Sequence, residues 1–213
     1  MKYKGLCINL FSALLRKPMR AMYGKEAADQ YLREAKPIYR KMLEETEDIG
    51  ADNPMAMNIY MGYVFLAIWK AAQGNITPAA LGVLAKRFMN RKAVQMVLSS
   101  RNINRKTDLE KTARNLHRMK AWADAHPAYR DKTWDFNFDK TKHRDGIYYH
   151  FTHCPLEKYA REHGCLEALP AACSMDHMTA AAMHGVLHRQ YTLATGGKIC
   201  DYWIVPDGIR DPQ

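Results

Sequence analysis

The residues best able to do chemistry gather after Pro170. Asp176 and His177 lie three and four residues beyond Cys173, and His184 lies seven beyond His177. On one helix these spacings share a face. A thiol, a carboxylate and two imidazoles in one place support nucleophilic catalysis, with an imidazole taking the thiol proton, or they hold a metal ion. The same segment also reads as a close-packed helix, because Ala180, Ala181 and Ala182 give it a small face and free cysteine is often simply buried.

A second set sits on a predicted hairpin. Residues 187–194 and 198–205 are β-like, and Gly196-Gly197 between them signals a tight turn. A two-residue loop sets Leu193 opposite Cys200 and Thr192 opposite Asp201. Alternation then puts Arg189, Tyr191, Leu193 and Cys200 on one face and Thr192 and Asp201 on the other. An arginine in an apolar strand needs a partner. Asp176 supplies one as a structural ion pair, and a ligand carboxylate, which arginine grips bidentately, supplies another. Cys154 precedes Pro155 at a predicted helix start, where free amides and the helix dipole favour a thiolate, although a small buried cap residue fits there equally. Cys165 and Cys7 read as packing.

The elements that must position these groups are legible. Leu6, Leu10 and Leu14 suit an amphipathic helix. Residues 27–49 follow helical spacing, with Pro37 marking a kink or restart. Asp52-Asn53-Pro54 starts a helix over 54–73 that is apolar nearly all round and so is the buried central one, ended by Gly74-Asn75. Thr77-Pro78 starts a helix to about residue 98, and Thr107 with Glu110 forms a capping box for another, to about residue 125. Beyond it, Trp134, Phe136 and Phe138 alternate, and residues 147–151 are β-formers, so both read as strands. Short helices follow Cys154-Pro155 and Pro170. The reading is an α+β protein with a helical N-terminal half (1–130) packed on a C-terminal half (131–213) of antiparallel sheet and two short helices, as one structural unit.

Composition limits the classes of function. The chain has 213 residues, 47% hydrophobic and 25% charged, which excludes wholesale disorder. Its longest apolar run, residues 60–69, is too short to span a bilayer. The basic start and apolar residues 5–15 superficially mimic an export signal, but no small-x-small site follows, so the five cysteines are expected as reduced thiols in the cytoplasm. No CxxC pair occurs, which argues against a zinc ribbon. The net charge of +10 is uneven: residues 1–100 carry 15 Lys+Arg against 8 Asp+Glu, and residues 151–213 carry 5 against 7. Residues 86–120 hold eleven Lys+Arg, yet no nucleic-acid motif accompanies them, and Lys111, Arg114 and Arg118 read as a solvated helix face.

The blocks Asp52-Asn53-Pro54-Met55, Cys154, Pro170-Ala171-Ala172-Cys173-Ser174-Met175-Asp176-His177, and Arg189-Gln190-Tyr191-Thr192-Leu193-Ala194-Thr195-Gly196-Gly197-Lys198-Ile199-Cys200-Asp201-Tyr202 together resemble the L-2-amino-thiazoline-4-carboxylic acid hydrolase family. The likeness runs over roughly residues 20–205. It implies hydrolytic opening of a carboxylate-bearing cyclic amidine to an N-carbamoyl amino acid, N-carbamoyl-L-cysteine, on a route to cysteine. On that reading Cys173 attacks the amidine carbon, His177 accepts its proton, Asp176 receives the amidinium and Arg189 the carboxylate, with Cys200 in the catalytic set and Cys154, Thr192 and Asp201 lining the substrate. No cofactor is required.

The end Gly197-x-x-Cys200-Asp201-Tyr202 is also similar to the close of the vinyl-reductase-type small-ligand domain, which binds zinc through cysteines. That similarity implies an alternative in which Cys154, Cys173 and Cys200 hold zinc and activate water. It also implies a non-catalytic sensor of small ligands or zinc as the alternative function. The expected partner is a small carboxylate-bearing substrate, not a membrane or a nucleic acid.

Overall fold

The computed structural model describes residues 1–143 and 145–208. The all-apolar segment forms α3 (Ala56–Ala71), buried on every side from Gly62 to Ile68. Its start is fixed by Asn53, which is buried. The Asn53 Oδ1 accepts the Met55 amide at 2.8 Å, and its Nδ2 donates to the Ile49 carbonyl at 2.7 Å and to Thr133 Oγ1 at 3.0 Å. Around α3 lie α1 (Gly5–Tyr23), α2 (Lys25–Glu45) and α4 (Pro78–Met89), followed by α5 (Lys92–Leu98) and α6 (Lys106–Ala125).

Three local expectations change. The helix α2 runs unbroken through Pro37, whose position on the solvent side lets water meet the carbonyl that lacks an amide partner. The helix capped by Thr77, whose Oγ1 accepts the Ala80 amide at 3.2 Å, stops at Met89 and restarts as α5. The Thr107 capping box does not form, because α6 begins at Lys106 and Thr107 lies inside the helix. Asp108 instead accepts the Asn102 amide at 3.2 Å, and that bond above all holds its carboxyl below the usual range.

The C-terminal half contains β1 (Ile147–Phe151), α7 (Pro155–Glu162), α8 (Leu169–Cys173), α9 (Met175–Ala182), β2 (Gly185–His188) and β3 (Cys200–Pro206). All three strands are antiparallel in the order β1-β3-β2. The predicted strand at 134–138 reduces to one bridge, Asn137 to His150. Asp135 takes the amides of Thr152 and His153, at 2.8 and 2.6 Å, and so replaces a ladder with a side-chain clamp. Trp134 and Phe136 are nonetheless buried, as their alternation implies. The predicted helix after Pro170 is split at Ser174 into α8 and α9. The core runs without a break from the helices into the sheet. Among the described residues no helix is long and apolar enough to cross a membrane.

The hairpin differs most. The β2 and β3 strands pair as Leu187 to Ile204 and His188 to Trp203, a slip of two from the expected register. Because the slip is even, side chains keep their faces. The eleven residues 189–199 leave the sheet as a loop containing a turn of 3₁₀ helix (Leu193–Thr195) closed by Gly196 at φ +86°.

Candidate functional site

Small residues bring the site into the core. Ala171 and Ala172 are buried in α8, which lies against α3 and α4, so the helix can approach closely before ending at Cys173. Ser174 turns the chain, its Oγ donating to the Ala171 carbonyl at 2.7 Å, and Asp176 occupies the first turn of α9. Arg189 follows β2 directly and dips inward, its side chain only 6% exposed. Its Nη1 donates to Asp176 Oδ2 at 2.7 Å and its Nη2 to the Cys173 carbonyl at 2.7 Å. The Asp176 side chain is 41% exposed. The ion pair, rather than an open arginine awaiting a carboxylate, is therefore the arrangement seen.

Two tyrosines complete this group, and neither was anticipated from sequence. The Tyr202 hydroxyl donates to the same Asp176 Oδ2 at 2.9 Å, and its ring lies 5.3 Å from the Arg189 guanidinium carbon. Tyr149, its cross-strand partner, stacks on it at 4.8 Å with planes 8° apart. Strand alternation held the signal, since Tyr202 stands two residues beyond Cys200 on the same side of β3.

The three thiols named from sequence converge here, and burial keeps all of them neutral. It pushes the Cys173 thiol far above its usual value, the Asp176 carboxylate and the Cys154 and Cys200 thiols add to this, and Arg189 opposes it. Cys154 is pushed up to about 12 by burial, against the amides of Glu157 and Leu156 and a hydrogen bond from Trp134. The Cys154 side chain makes no cap hydrogen bond to the helix start, and desolvation outweighs the pull of the nearby amides, so the expected thiolate is corrected to a thiol. Cys200 is raised by burial, while its Sγ accepts the Leu193 amide at 3.2 Å.

Other predicted residues stand apart. His177 faces solvent beside the Leu187 backbone, its imidazole held below its usual pKa first by burial and then by Arg189. His184 lies beyond the end of α9 at φ +59°, with Nδ1 3.6 Å from Asp207 Oδ2, so it leaves the face that spacing gave it. The Thr192 Oγ1 meets Thr195 Oγ1 at 2.9 Å and closes the loop turn. Asp201 accepts the Gln190 amide at 3.0 Å and the Tyr191 amide at 2.6 Å, which clamps the loop to β3. Tyr191, placed by alternation on the face of Arg189 and Cys200, is 54% exposed. The loop borders an open hollow of about 690 Å³ lined by Gln190, Tyr191 and residues 195–199, Lys198 among them.

Among the described residues no three His, Cys, Asp or Glu side chains are placed to hold a metal ion. The zinc set of Cys154, Cys173 and Cys200 does not fit this geometry, and Cys200 Sγ already takes an amide. The arrangement offers a neutral nucleophile, Cys173, beside a carboxylate, Asp176, that keeps its Oδ1 free for a cationic ligand.

No curated protein and no solved structure matches the chain. The sequence profile of the L-2-amino-thiazoline-4-carboxylic acid hydrolase family matches residues 57–204, more than two thirds of the chain and every element of the cysteine, aspartate and arginine cluster. The motifs around Cys154, Cys173 and Arg189 thus carry the identity that they suggested: the chain belongs to the L-2-amino-thiazoline-4-carboxylic acid hydrolase family.

Proposed function

We propose that this protein hydrolyses a carboxylate-bearing cyclic isothiourea, the 2-amino-thiazoline class, to an N-carbamoyl amino acid, with Cys173 as nucleophile. The observation that carries the reading is the placement of Cys173 one turn from a half-open Asp176 whose Oδ2 is held by Arg189 and Tyr202. The substrate's protonated amidine is planar and presents paired N–H donors, which a fixed carboxylate accepts. Arg189 then acts by positioning Asp176 and the Cys173 carbonyl. Because Arg189 is occupied, this reading assigns the substrate carboxylate to another cation, Lys198 of the 189–199 loop.

The steps balance without an external base. The Cys173 sulfur attacks the ring carbon between nitrogen and sulfur. The ring carbon–sulfur bond breaks, and the departing sulfur takes the proton that Cys173 carried. Water attacks the resulting S-linked isothiourea, Cys173 leaves and regains a proton, and the urea group of the product remains. Net consumption is one water. Burial favours the protonated thiol, so attack requires the Cys173 proton to pass to the leaving sulfur as the new bond forms.

The test is turnover of 2-amino-thiazoline-4-carboxylate followed by mass spectrometry, with and without a chelator. Ring opening that survives chelation and is lost in Cys173→Ala, with the melting temperature kept, supports the reading. Full activity in Cys173→Ala removes the thiol from the mechanism. Tight binding with no turnover of any cyclic amidine makes the protein a sensor.

A further inference from the structure

The leucine stripe on α1 faces outward. Leu6 is 81% and Leu10 53% exposed, while Ile8, Phe11, Leu15 and Met19 fill the core side. Leu6, Leu10 and Lys17 follow at steps of four and seven, so they share one solvent face. Two exposed leucines alone are unremarkable, but their setting is not. Residues 1–25 hold six Lys+Arg and no Asp or Glu. Asp29 of α2 takes Arg20 at 2.6 Å, which leaves Lys2, Lys4 and Lys17 with no ion-pair partner among the described residues. On one side the acid-free character continues: Phe11 of α1 stacks on Phe88 of α4 at 4.7 Å, and residues 53–106 again contain eight Lys+Arg and no acid, whereas α2 on the other side carries Glu26, Asp29, Glu34, Glu44 and Glu45. The α1 face also lies outside the segment that the family profile matches, so the hydrolase reading does not account for it.

We propose that the outer face of α1 docks the protein on an anionic lipid surface. Aliphatic side chains ringed by lysines are the pattern of a helix lying in the headgroup plane, where the leucines enter the acyl boundary and the lysine stems snorkel toward phosphate. The other polyanion, nucleic acid, is bound by bases stacking on aromatic rings, and the exposed face of α1 presents leucines between its cations. A second copy of the chain would set these lysines against their own kind.

The experiment is flotation of the full-length protein with vesicles of phosphatidylcholine alone or with phosphatidylglycerol added, at low and at physiological salt. Binding is expected only to the anionic vesicles and to weaken with salt. Lys17→Glu should weaken it at least about fivefold, and Leu6→Glu with Leu10→Glu by about tenfold or more at unchanged melting temperature, since both side chains are already in water. Any of these results overturns the proposal: no flotation with anionic vesicles, equal flotation with phosphatidylcholine alone, a paired leucine variant that binds like the parent, or light scattering that shows a dimer dissolved by that variant. Retention on single-stranded DNA with no vesicle binding assigns the surface to nucleic acid and also overturns it.

Discussion

The ion pair at the centre of the site can be tested through the thiol beside it. In Arg189→Gln the Asp176 carboxylate loses its 2.7 Å partner and the Cys173 carbonyl loses its own. Asp176 is 41% exposed, so water partly replaces the arginine, and that bond contributes about 1–2 kcal/mol. The Cys173 carbonyl is deeper, and leaving it unpaired costs about 1–2 kcal/mol. The sum, about 3 kcal/mol, lowers the melting temperature by roughly 6–12 °C for a chain of this size. Asp176→Asn leaves the buried guanidinium without its charge partner, at about 2–3 kcal/mol. The double variant should fall short of the sum by about 1–2 kcal/mol, because each single change already breaks the same bond.

Cys173 gives the readout that mere packing would not. The Asp176 charge raises its thiol and the Arg189 charge lowers it. Asp176→Asn should therefore speed alkylation of Cys173 by iodoacetamide, mapped by peptide mass spectrometry, and Arg189→Gln should slow it. Shifts in the same direction, or a pairwise energy below about 0.5 kcal/mol, refute the account.

The remaining tests are simpler. Tyr202→Phe keeps the stack on Tyr149 but loses the hydrogen bond to Asp176, so a loss of about 1 kcal/mol is expected in urea unfolding, with reduced turnover. Asp201→Ala frees the loop amides of Gln190 and Tyr191 while leaving the exposed surface otherwise intact; hydrogen exchange over residues 189–199 should quicken, and unchanged protection would show that the clamp is idle. Gly197→Ala drives a Cβ to 2.9 Å from the Thr192 carbonyl oxygen and should lower the melting temperature. In alkali the unfolded chain deprotonates its thiols near their usual value while the fold holds Cys154 neutral up to about 12. Stability therefore falls as pH rises between these values, by up to about 1.4 kcal/mol per pH unit, and Cys154→Ala should flatten the slope.

Much of the scaffold could be read from the chain because it depends on local chemistry. Apolar residues all round 54–73 admit only a buried helix, Thr77 caps the helix that it precedes, and Pro155 starts α7 after Cys154. Residue type and spacing likewise singled out Cys173, Asp176 and Arg189. What local signals cannot weigh is competition between distant partners. The Leu6–Leu10 stripe and the stripe through Ile8 and Phe11 both fit a helix, and only packing on α2, α3 and α4 decided which one is buried. Two glycines suggested a tight turn, but strand pairing stopped at His188 and Asp201 captured the next amides. Whether Arg189 stays open for a ligand, whether Cys154 is a thiolate, and whether a tyrosine from β3 joins the site are three-dimensional questions. Their answers depend on desolvation and on hydrogen bonds between segments as much as 26 residues apart, which exist only once the chain has folded.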